Sequence, residues 1–65
     1  MNATILNFLT TDGTVTVSFA RTLLPPQYEQ LYQLILGQHF TTVELSDHIR
    51  QLASEWGVQV VLDEC

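Results

Sequence analysis

The chain has 65 residues, seven carboxylates, two arginines and no lysine, for a formal charge of −5. Two cations cannot form the basic stripe that nucleic acid or an anionic membrane surface requires, so neither is expected as a partner. The lone cysteine, Cys65, excludes an internal disulfide and a cysteine-clad zinc site. A domain this short buries only about 60% of its unfolded surface, which leaves association as the way to steady it. No apolar run approaches the roughly 20 residues that span a bilayer. The segment MNATILNFL lacks the basic start and long apolar core of a secretory signal, so the cytoplasm is the expected compartment.

Two β-prone runs flank Asp12-Gly13. Asp-Gly predicts a type I′ hairpin turn, in which both central residues take positive φ. That turn sets Thr10 opposite Val15, Phe8 opposite Val17 and Leu6 opposite Phe19, gathering the apolar residues on one face. Strands are expected over about 3–10 and about 14–21. The second face carries Ile5 opposite Ala20, Asn7 opposite Ser18 and Leu9 opposite Thr16. Apolar on both faces, the first strand reads as the central one.

Pro25-Pro26 opens a helix expected over about 26–36, because proline suits a first turn whose N–H groups lack intrahelical partners. Tyr28, Leu31, Tyr32 and Ile35 follow the i, i+3, i+4, i+7 rule, with Leu34 and Leu36 widening the stripe. Gly37 supplies a left-handed helix end, and the short GQHF connection predicts an antiparallel second helix. Thr41 and Glu44 form a capping box for that helix. Leu45, Ile49, Leu52, Ala53 and Trp56 then give it a strict apolar stripe over about 42–56, closed by Gly57. In VQVVL, Val58, Val60 and Leu62 share one face and Gln59 and Val61 the other, a third strand expected over about 58–62.

The order β-β-α-α-β over 1–65 describes a single α+β two-layer domain. Its expected form is a three-stranded sheet in spatial order 2-1-3 with an antiparallel helical hairpin on one face. The third strand would then run parallel to the first. Pairing of the third strand beside the second, or with another chain, remains open.

The segment ELSDHIR concentrates polar chemistry. Glu44 and His48, one helical turn apart, could share a divalent ion with His39 from the preceding loop. Each residue also has a structural role available: Glu44 caps, Asp47 complements the helix dipole and pairs with Arg50, and His48 lies on the surface. No cofactor or metal is therefore assigned. Cys65 could act as a nucleophile, but Asp63 and Glu64 beside it oppose a thiolate. Tyr28, Tyr32 and Trp56 could line a ligand pocket, yet at helical spacing they read as core. No serine stands in local order with a histidine and an acid, and no glycine cluster could cradle a phosphate.

The remaining signal is the second sheet face, where Ile5, Leu9, Ala20 and Val61 form a candidate interface. The second strand, without proline or lysine, offers an edge for pairing with another chain. The expected function is a non-enzymatic protein-interaction or regulatory module that self-associates through its sheet, with a protein partner or a second copy as its ligand. One alternative is a small-ligand or metal-binding regulatory domain using His39, Glu44 and His48. Another is an acidic, antitoxin-like or inhibitor protein that binds a basic partner.

Overall fold

The computed structural model describes residues 3–64, in the order β1 (Thr4–Thr10), β2 (Gly13–Phe19), α1 (Pro25–Ile35), α2 (Thr42–Trp56) and β3 (Val60–Glu64). The strands form one antiparallel sheet, and with the two helices they make an α+β fold. Val15, Val17 and Phe19 of β2 are almost wholly buried, together with Leu31 of α1 and Leu45, Ile49 and Ala53 of α2. Leu6, Phe8, Leu52, Trp56, Val60 and Leu62 pack around that cluster.

The spatial order is β1-β2-β3, so β2 is central, not β1. The reason lies in how the chain leaves α2. Gly57 takes φ 69°, a left-handed conformation that favours glycine, and the Val58 N–H closes back on the Ala53 carbonyl at 2.9 Å. This tight closure keeps Val58 in the helix end, so β3 begins at Val60 instead of Val58. The Gln59 carbonyl then accepts the Ala20 N–H at 2.9 Å, which lays the third strand beside β2. β3 runs in the same direction as β1 without touching it in the ladder.

The hairpin differs from expectation by a two-residue slip. Thr10 pairs with Gly13, Phe8 with Val15, Leu6 with Val17 and Thr4 with Phe19. The turn residues are Thr11 and Asp12, neither at positive φ, so the turn is not type I′. Distant contacts hold it there. The Asp12 carboxylate accepts the Thr42 N–H at 2.8 Å and the Thr10 hydroxyl at 3.3 Å, and the Thr11 N–H donates to the Phe40 carbonyl at 2.9 Å. A slip of two residues preserves the faces, because side chains alternate with period 2. The core face therefore remains Leu6 and Phe8 with Val15, Val17 and Phe19.

α1 buries only part of its expected stripe, with Leu34 and Ile35 packed against the core beside Leu31. Tyr28 and Tyr32 are exposed, whereas Gln27 and Leu31 are buried. Gln27 is held by its side-chain oxygen, which accepts the Leu24 N–H at 2.8 Å at the helix entrance. A polar link also joins the helices: the Trp56 indole donates to Gln30 Oε1 at 2.7 Å. Thr4 secures the other end of the hairpin by accepting the Leu23 N–H and donating to the Arg21 carbonyl, each at 3.1 Å.

Candidate functional site

The sheet face opposite the helices is built in rows across the strands. Ile5, Ser18 and Val61 form one row, Asn7, Thr16 and Asp63 the next, and Leu9 with Thr14 a third. Ile5 is 64% exposed, Val61 70% and Leu9 90%. Ala20, also exposed, lies one row beyond Ser18. Ile5, Ala20 and Val61 are thus neighbours at one end of the sheet. Leu9 stands apart from them, across a polar row in which the Thr16 hydroxyl donates to Asn7 Oδ1 at 2.7 Å.

Among the described residues β2 is central, so the free edges belong to β1 and β3 and β2 offers none. The two edges differ in chemistry. β3 ends in Asp63 and Glu64, charges that discourage strand pairing. β1, Thr-Ile-Leu-Asn-Phe-Leu-Thr, contains no charge, proline or glycine along seven residues. Beside its second half lies an open groove of about 530 Å³. Residues 7–11 form one wall, and Ile35, Gln38, His39, Phe40 and Leu45 the other.

A second uncharged surface lies on α1. Leu24, Tyr28, Tyr32 and Leu36 recur every four residues and are all exposed. At i, i+4 spacing Tyr28 and Tyr32 form a ridge along the helix, with the cap residues Leu24 and Leu36 exposed at its two ends. The ridge was legible only as part of a broad apolar stripe, whose phase depends on which side meets the sheet.

The polar cluster on α2 is divided among local tasks. Glu44 accepts the Thr41 N–H at 3.0 Å while its own N–H donates to the Thr41 hydroxyl at 3.2 Å, completing the capping box. His48 places Nδ1 2.9 Å from the Glu44 carbonyl, with its ring centroid 5.0 Å from that of Phe40. His39 lines the groove. Among the described residues no three His, Cys, Asp or Glu side chains are grouped as a metal ion would require. Asp47 and Arg50 form an exposed ion pair at 3.4 Å.

Ser46 is the residue of this segment whose partner the sequence conceals. It is fully buried, and its hydroxyl donates to Glu64 Oε2 at 2.6 Å, the short distance typical of a bond to a carboxylate. The reading of Cys65 as a nucleophile concerns a residue outside the described ones. No helix among the described residues is long and apolar enough to cross a membrane. No family model matches the chain, and no characterised protein or solved structure is significantly similar to it.

Proposed function

We propose that the chain is a non-enzymatic cytoplasmic interaction module that receives a segment of another protein chain along the free edge of β1. The observation that carries this reading is the uncharged, seven-residue edge strand bordered by a groove. Every second residue of such an edge turns its N–H and C=O groups away from the sheet, ready for a new strand. An extended segment added there would gain main-chain hydrogen bonds from β1. Its alternate side chains would enter the groove between Phe8, Ile35 and Phe40, which is how strand addition combines affinity with selectivity. The exposed side chains of Ile5 and Leu9 would receive cross-strand neighbours on the outer face. With a chain charge of −5, an uncharged or basic segment is favoured over an acidic one.

The test is a selection of extended peptides from a random library against the chain at low micromolar concentration. The selected peptides are then mapped by their effect on the amide resonances. Changes concentrated at Asn7–Thr11 and Gln38–Phe40 are the expected result. Selected peptides that perturb only β3 or α2, or a library that yields none against a monomeric chain, would remove the basis for this reading.

A further inference from the structure

β1 is chemically symmetric about Asn7. Outward from that residue stand Leu6 and Phe8, then Ile5 and Leu9, then Thr4 and Thr10. From this symmetry we infer that the occupant of the β1 edge is a second copy of the chain, related by a twofold axis at Asn7. Two antiparallel copies of β1 would set Ile5 opposite Leu9 of the second copy, Leu6 opposite Phe8, and Asn7 opposite itself. Every position then meets its like: aliphatic pairs on the outer face, apolar pairs on the core face, threonines at both ends. A twofold interface has to be self-complementary in this way, whereas an unrelated partner strand places no such demand on the sequence.

Charge selects the same edge. Two chains of −5 repel, so they meet most readily where neither carries a carboxylate. β1 has none, while a β3 junction would bring Asp63 and Glu64 of both copies into one seam.

The ridge on α1 supplies an independent observation. α2 packs on β2 and β3, and the C-terminal end of α1, at Ile35, lines the groove beside β1, which puts that end of α1 on the β1 side. Gln30 faces α2 through its bond to Trp56. At about 100° per residue, Tyr28 and Tyr32 lie about 160° around the helix from Gln30. The ridge therefore looks away from α2, toward the flank on which β1 presents its edge. A twofold axis perpendicular to the sheet keeps the helices of both copies on one face and turns the two ridges toward each other. Interlocking of i±4 ridges is the commonest helix contact in globular proteins. Glu29 is the only charge on α1, and it is bonded to Gln33 at 3.1 Å. The product is a continuous six-stranded sheet with strand order β3-β2-β1 in each half.

The test uses the full chain carrying Cys65→Ser, which prevents an intermolecular disulfide. Sedimentation equilibrium is expected to show a dimer. In a mixture of isotope-labelled and unlabelled chains, intermolecular NOEs are expected between Ile5 and Leu9 and between Leu6 and Phe8. Ile5→Lys and Tyr32→Glu, both at exposed positions, are each expected to weaken the dimer by at least about tenfold with an unchanged circular dichroism spectrum. A chain still monomeric at about 1 mM overturns the second copy as occupant. So does a dimer whose NOEs report another register or another surface. The inference rests on β1 being an acceptor strand, and the two ideas fail differently. Library peptides that bind β1 of a monomeric chain sink the second copy alone, whereas a monomer that binds none of them at β1 sinks both.

Discussion

Ser46 and Glu64 tie the second turn of α2 to the last described residue of β3. Their environments are unequal, because the hydroxyl is fully buried and the carboxylate belongs to an exposed residue. Removing each partner should therefore cost differently. Ser46→Ala leaves a carboxylate that water can reach, for an expected loss of about 1 kcal/mol. Glu64→Ala strands a buried hydroxyl and is expected to cost more, about 1–3 kcal/mol. Urea denaturation of both variants and of the double variant checks this, with the double variant expected near Ser46→Ala. Equal losses for the two single changes would show that burial of the hydroxyl is immaterial. The Thr41–Glu44 cap was legible in the sequence because its partners are three residues apart. The Ser46 bond was not, since 18 residues separate its ends and nothing local points from one to the other.

At the level of elements, the hairpin shows a local signal overruled by distant contacts. Asp12-Gly13 favours a type I′ turn, but the Asp12 carboxylate is engaged by the Thr42 N–H, the first residue of α2. That contact caps the helix from a separate element and places a negative charge at its positive end. Asp12→Ala is expected to destabilise the chain by about 1 kcal/mol. It is also expected to speed hydrogen exchange of the Thr11 and Thr42 amides, both of which report the seam between hairpin tip and helix. Asp12→Asn retains the acceptor oxygen and should lose less. Unchanged exchange at both amides in Asp12→Ala would separate the turn position from this contact. The slip left the face assignment intact because it amounted to two residues. For α1, leucines and tyrosines span so much of the circumference that periodicity left the phase open; the sheet and Trp56 settled it.

For the whole molecule, the balance lies between an acidic surface and uncharged patches. Two copies of net charge −5 repel over a distance of roughly 10 Å at 0.1 M salt. Raising the ionic strength shortens that range, so the proposed dimer is expected to tighten between low and moderate salt. Sedimentation over a salt series measures this, and a dimer that weakens steadily with salt would indicate a contact held by ion pairs instead. The element types, the apolar face of each strand, the α2 stripe and its cap followed from the sequence alone. Each depends on spacing within a single segment. The tertiary structure alone decided which strand is central, where the hairpin turns, which side of α1 is buried and therefore which edge stays open. Those choices depend on contacts between segments far apart in the chain: Asp12 with Thr42, Ala20 with Gln59, Gln30 with Trp56.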